Sequence, residues 1–335
     1  MRARRTSFAI TMRRVRLKTV GPLVKFAVFQ IFIIAPFAGG YFLRSRFRDL
    51  GSVTKKLIRL NLIFVEPLIV LWSVWGLDLS GDLVWLPVAG LVLVLCGAGL
   101  GLVAARWLRL GGIWRATYLI SAGLANHGFT LGGFICYLFL GEKGLGLSFI
   151  FISYFMPFIF LVVFPYARAS SRGAAAGPGG MGGYIFNLQN MPLAAIVAAI
   201  ALHVAGIQRP DIFFPVDCFL MISVTVYYLS LGINFSPGGI GGIKAENILL
   251  AAIKFIALPA IAFLLVHEAA IDPAIKTVIV IESCMPAAIY SVVAAVLFDL
   301  DVKMASGIFV VNTVIFLCVV FPVLALALKY GGMAL

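Results

Sequence analysis

The sequence predicts an all-α integral membrane protein of about ten transmembrane helices, arranged as two inverted five-helix repeats in which helices 4 and 9 are broken. Three observations predict it. Hydrophobic residues make up 62% of the 335 residues and charged ones only 12%, with a mean hydropathy of +1.09. A soluble domain is roughly half apolar and a quarter charged, because its surface faces water. The apolar residues also run in continuous stretches of about 20, which cross hydrocarbon as helices, without the alternation of a barrel strand. Finally, a small-residue segment containing Gly177-Pro178-Gly179-Gly180 divides the chain into two halves of five spans each, alike in span count and motif position rather than in residues, and reads as a flexible linker.

The first half reads as a basic tail (1–20) followed by a five-helix repeat (21–168). Its spans lie at roughly 21–43, 57–77, 83–105, 115–140 and 145–166. The linker covers 169–190, and the second repeat covers 191–330. Its spans lie at roughly 191–207, 213–234, 246–266, 275–298 and 304–328. An odd number of spans per half inverts the second half relative to the first, an arrangement common in secondary transporters.

Orientation follows from Lys and Arg, which concentrate in cytoplasmic loops. Arg44, Arg46, Arg48, Lys55, Lys56 and Arg59 surround the first loop, whereas the second holds Asp78 and Asp82. Arg106, Arg109 and Arg115 return in the third, and Arg168 and Arg172 in the linker. The linker is therefore expected in the cytoplasm, with both termini outside a cytoplasmic (inner) membrane. The tail (Arg2, Arg4, Arg5, Arg13, Arg14, Arg16, Lys18) disagrees, which leaves open a further element or a start at Met12. The net charge of +13 is accounted for by loops that face lipid headgroups, so the bilayer is the expected partner and nucleic acid is not.

Two spans depart from plain lipid-facing helices. Span 4 contains Ala125-Asn126-His127-Gly128-Phe129-Thr130-Leu131-Gly132-Gly133, and span 9 contains Glu282-Ser283-Cys284-Met285-Pro286-Ala287-Ala288-Ile289-Tyr290-Ser291. Gly and Pro loosen a helix, and the backbone groups they free need protein or a wet cavity as partner. Both breaks fall in the fourth span of their half. Half-helix N-termini there suit an anion and freed carbonyls a cation. Gly-rich helices that merely pack closely are the plain alternative for either span alone.

Ionisable residues at membrane depth are costly and by default functional. Glu282, four residues before Pro286, suits a proton or Na⁺. His127 beside Asn126 suits a proton relay or an anion donor. Glu66, which precedes Pro67, and Lys254 are read as a buried ion pair, with Lys254 alternatively attracting an anion or snorkelling to the interface. Lys25 is expected to snorkel, His203 and Asp217 to sit at solvated helix ends, and His267-Glu268 in a loop. The five cysteines show no CxxC spacing and read as small buried hydrophobes. No phosphate-binding GxxxxGK[ST] loop, HExxH pair or nucleophile-base set is visible, so no enzyme activity, metal or organic cofactor is expected.

Asn126-His127-Gly128-Phe129, Leu140-Gly141-Glu142-Lys143-Gly144 and Met285-Pro286 before Ser291-Val292-Val293 resemble the auxin efflux carrier family, which includes bacterial permeases for malonate, malate and related acids. The resemblance covers residues 21–330. It implies that the fourth and ninth helices cross as broken helices within a mobile transport domain. Spans 1, 2, 6 and 7 would then form a scaffold, usually dimeric, against which that domain moves like an elevator. Asn126 matches the Asn that opens the first crossover and Pro286 the proline of the second. Gly132-Gly133 stands where the family usually has a proline, and Tyr290 where it often has Asn. The distantly similar bile acid:sodium symporters hold Na⁺ with a Glu placed like Glu282.

The expected function is a secondary transporter of a small organic anion, coupled to H⁺ or Na⁺ or uncoupled. Asn126, His127, Gly128, Gly132, Gly133, Pro286 and Tyr290 are the candidate substrate residues, and Glu282, Glu66 and Lys254 the coupling ones. The alternative is a non-transporting receptor or assembly subunit that retains the fold.

Overall fold

In lipid a backbone must satisfy its own hydrogen bonds, which favours helices. The computed structural model of the chain describes residues 22–44, 50–128, 131–171, 190–234 and 245–330, and among these every extended element is helical. In chain order α1 is Pro22–Leu43. α2 (50–75) joins Leu50–Leu60, Asn61–Val65 and Glu66–Trp75 end to end, and α3 is Trp85–Trp107. α4 is Gly112–Gly123 and α5 is Gly132–Ser170, bent at Gly141, whose φ is 65°. α6 is Met191–Val204, α7 Val216–Asn234 and α8 Ala245–His267. α9 is Pro273–Ser283, α10 is Ile289–Leu297 and α11 runs over 302–330.

Among the described residues, 6 helices are long and apolar enough to cross a membrane: Lys56–Trp75, Gly81–Trp107, Gly132–Ser170, Val216–Ile233, Ala245–His267 and Val302–Leu328. Their outer faces carry side chains such as Val103, Ile256 and Leu264, 63%, 70% and 75% exposed, which only lipid can cover favourably. The chain is a multi-pass α-helical membrane protein.

The expected tail (1–20) and most of the linker lie outside the described residues, as does the Lys25 side chain. At its near end the linker expectation needs a small correction, because α5 stays helical through Ser170. His203 and Asp217 do sit at helix ends. His267 closes α8 and its Nδ1 lies 2.7 Å from Glu268 Oε1 at an exposed site. Cys136 and Cys284 are buried as expected, but Cys218 and Cys318 are exposed.

Wide turns recur at prolines. The π-helical segments Asn61–Val65, Ile159–Val163, Ile253–Ala257 and Phe316–Val320 each end two residues before a proline: Pro67, Pro165, Pro259 and Pro322. Proline lacks an amide hydrogen and its ring presses on the preceding turn, so the helix accommodates it by widening by one residue. Two of these turns carry polar residues that are buried, Asn61 at 2% exposure and Lys254 at 0%.

Packing places the breaks at the centre. α1 lies along α7, and α2 packs on α6 and α7. α3 packs on α4, α8 and α9, and α11 on α4, α8 and α10. α5 contacts α9 on one side and α2 on the other. α1 and α7 meet at Gly40 and Gly232, where an added Cβ would strike the backbone of Leu229 or Phe37, a small-residue contact typical of helices in lipid.

At one end, the Asp272 carboxylate caps α9, accepting from the Ala274 N–H at 2.6 Å, and pairs with Lys143 of α5 at 2.8 Å. The Lys143 contact, aided by the backbone amides, holds this carboxyl below its ordinary value of 3.8. Its stabilising contribution is therefore complete above that pH and is lost as pH falls through the lowered value. Asp272→Asn is expected to cost about 1 kcal/mol, as loss of a cap does, read as a lower melting temperature at pH 7 that converges with wild type in acid.

Candidate functional site

Residues 124–128 and 284–288 leave helical geometry and cross. Ala125 and Ala287 form an isolated antiparallel bridge. The Asn126 N–H donates to the Pro286 carbonyl at 2.7 Å, and the Ala288 N–H to the Leu124 carbonyl at 3.2 Å. Each break thus supplies the partner that the other lacks. On the first strand Gly128 turns back with φ 70°, a left-handed conformation that glycine adopts without a Cβ clash. The Gly133 N–H then donates to the Gly128 carbonyl at 2.7 Å and starts α5.

Four half-helix ends meet here, and each has its own neighbour. The N-terminus of α5 faces Glu282, fully buried, since a Cβ on Gly132 would overlap that carboxyl group. The Ser148 hydroxyl donates to Glu282 Oε1 at 2.5 Å, Cys136 Sγ lies 3.9 Å from the same oxygen, and His127 Nδ1 lies 3.8 Å from Oε2. The His127 ring stacks on Phe151 with centroids 5.0 Å apart. At the C-terminus of α4 the Lys254 ammonium donates to the Leu124 carbonyl at 2.9 Å and to that of Gly123 at 3.4 Å. The end of α9 is closed by its own turn, in which the Cys284 and Met285 amides donate to Ile281 and Glu282 carbonyls.

The N-terminus of α10 is different: it opens on a cavity of about 190 Å³. Asn126, His127, Ser153, Asn190, Tyr227 and Tyr290 give that cavity its polar groups, and among the described residues the remaining lining is apolar with no charged side chain. Tyr290 is braced edge-on by Phe155, with centroids 5.5 Å apart. Of the expected substrate residues, Asn126, His127 and Tyr290 line the cavity. Gly128, Gly132 and Gly133 shape the turn behind it, and Pro286 contributes its carbonyl to the crossing.

The expected Glu66–Lys254 ion pair is not present. Glu66 Oε1 instead accepts from Asn61 at 3.1 Å, from Ser223 at 3.4 Å and from the Tyr227 hydroxyl. Lys254 is fully buried on its carbonyls, so it does not snorkel. The two sit on different helices with different partners, and spacing along the chain carries no signal for either arrangement.

Several partners had no visible mark in the sequence. Ser148 is a single hydroxyl within an apolar run, and Tyr227 links Glu66 to the cavity wall. Arg209 pairs with Glu142, donates to the Trp72 carbonyl at 3.1 Å and lies over the Trp72 ring at 4.8 Å, which ties α2 and α5 to the α6–α7 loop. No group of three His, Cys, Asp or Glu residues that could hold a metal occurs among the described residues.

Crossed half-helices beside a mostly apolar cavity are what the sequence resemblance implied, and comparison with known proteins places the chain among membrane transport sequences. Residues 187–324 match the family model described as Membrane transport protein. The resemblance read from the sequence is thereby supported over the second half, which holds Lys254, Glu282, Pro286 and Tyr290. The chain is also 35% identical over 92 residues to an uncharacterized transporter of Methanocaldococcus jannaschii. That alignment covers 27% of this chain and 30% of the relative, so the two share less than a third of the relative's length.

Proposed function

We propose that the chain is a secondary transporter of a small organic anion, bound in the cavity at the crossing of the two broken helices. The observation that carries this reading is the α10 N-terminus, which opens beside Asn126, His127 and Tyr290 on a buried cavity. Amide hydrogens and the positive end of the helix dipole favour a carboxylate there. Among the described residues the lining has no Lys or Arg for a second carboxylate, and its greater part is apolar. A monocarboxylate with an apolar body therefore suits it better than a dicarboxylate.

Movement of protein around a fixed midplane site follows the general logic of such carriers. In this reading the two halves are inverted five-helix repeats, each broken in its fourth span. α1, α2, α6 and α7 form a scaffold that pairs with a second copy, and the rest travels against it as an elevator. Both termini lie outside an inner membrane. Glu282 and His127 form the coupling site, since a buried carboxyl beside an imidazole can hand a proton on as the domain moves.

Uptake of labelled mono- and dicarboxylates into proteoliposomes under imposed pH gradients tests the reading. Saturable uptake is expected, stronger for apolar monocarboxylates, and Asn126→Leu is expected to weaken it by about tenfold, the scale of one lost well-placed polar contact. Binding of these acids without flux in any gradient would instead favour the receptor alternative.

A further inference from the structure

We propose that the Lys254 ammonium is a tethered cation: it does at the crossing what a bound Na⁺ would do, which makes the protein independent of Na⁺. The freed carbonyl ends of a broken helix carry partial negative charge and require a positive or donor partner in lipid. Lys254 provides it from within. Its π turn, widened ahead of Pro259, lies in α8 against the crossing, and its side chain is fully buried. Nζ reaches the Leu124 carbonyl at 2.9 Å and the Gly123 carbonyl at 3.4 Å.

No carboxylate lies within ion-pair distance of Lys254 among the described residues, because Glu282 faces Ser148 and His127 and Glu66 faces Asn61, Ser223 and Tyr227. The ammonium is therefore held by main-chain carbonyl dipoles, the oxygen ligands that hard metal ions also choose. Where a carrier with an open carbonyl site must collect an ion with each cycle, this chain carries the charge on α8. Removing the ammonium leaves the Leu124 and Gly123 carbonyl oxygens without it, ligands that a small alkali cation with its waters can take up.

The experiment compares wild type with Lys254→Met in NaCl, KCl and choline chloride, reading both thermal melting in detergent and carboxylate flux in proteoliposomes. Wild type is expected to melt and transport alike in all three salts. Lys254→Met is expected to melt lower in choline, recover with rising NaCl or KCl, and show flux about tenfold higher with the alkali cation than without it, a typical coupling magnitude. A wild type that needs Na⁺ for stability or flux overturns the proposal, as does a Lys254→Met protein indifferent to the salt. If that variant yields no folded protein in any salt, Lys254→Ala, which likewise offers the carbonyls no donor and leaves more room for an ion, replaces it with the same expectations. The flux arm rests on the transport reading above and the melting arm does not. Salt-specific melting without flux would therefore sink that reading and leave this one standing.

Discussion

Glu282→Gln is expected to abolish gradient-driven uptake while sparing exchange of substrate across the membrane. Glu282 is fully buried at the start of α5, with one oxygen held by Ser148 and the other facing His127 at 3.8 Å. An ionised carboxylate at that depth without a full counter-charge is costly, so in the proposed carrier each passage would require it to take up a proton or to share one with the imidazole. Glutamine keeps the shape and an oxygen for the Ser148 hydroxyl, but it cannot release a proton. The crossing would be fixed in its neutral form and could still shuttle loaded. Net uptake driven by a pH gradient should fall about 100-fold, equivalent to roughly 3 kcal/mol. Counterflow measured with equal substrate on both sides should stay within about threefold of wild type, under 1 kcal/mol. Gradient-driven uptake that survives the substitution would remove Glu282 from coupling.

The second large effect concerns Gly132, where a residue as small as alanine has no room. Its Cβ would occupy the space of the Glu282 carboxyl group, and Glu282 cannot swing aside without leaving Ser148 and entering packed side chains. Gly132→Ala is expected to destabilise by about 1–3 kcal/mol, the usual cost of overpacking, seen as a lower melting temperature and reduced yield. Glu282→Ala would clear that space. The double variant should therefore be more stable than the sum of the single effects by about 1–2 kcal/mol, the coupling expected of residues in contact. Strict additivity would mean that the two positions do not meet. Gly133 provides a comparison, because its Cβ would approach the Gly128 carbonyl rather than Glu282, and Glu282→Ala should not rescue it.

Legibility differed between levels of structure. Helix positions could be read because hydropathy over about 20 residues is a local signal that lipid enforces. α1, α7, α8 and α11 fall where their spans were drawn, within a few residues at each end. The breaks were legible for the same local reason: Gly128, Gly132 and Pro286 mark places where a helix cannot continue. Partnerships were not legible. Ser148 and Glu282 are 134 positions apart in sequence, and Glu66 and Tyr227 are 161 apart, so only the fold decides that they touch. Glu66 and Lys254 have opposite charges at membrane depth, which made a pair attractive on charge alone. The π turns at Asn61–Val65 and Ile253–Ala257 instead give each a different set of neighbours. Tyr290, noted as a departure from the family pattern, lines the cavity itself, where its ring occupies space that an amide would leave open.

The reciprocal bonds between Asn126 and Pro286 and between Ala288 and Leu124 constrain how the centre of the molecule can change shape. In a soluble protein either strand could peel away and let water satisfy what it left behind. Within hydrocarbon, separating them would strand the Asn126 and Ala288 amides and the Pro286 carbonyl together, a penalty of several kcal/mol for each unsatisfied group. Neither arm can flex alone. If the chain transports as proposed, access to the two sides of the membrane would come from sliding or tilting at the apolar seams around this knot, as a keystone is carried with its arch.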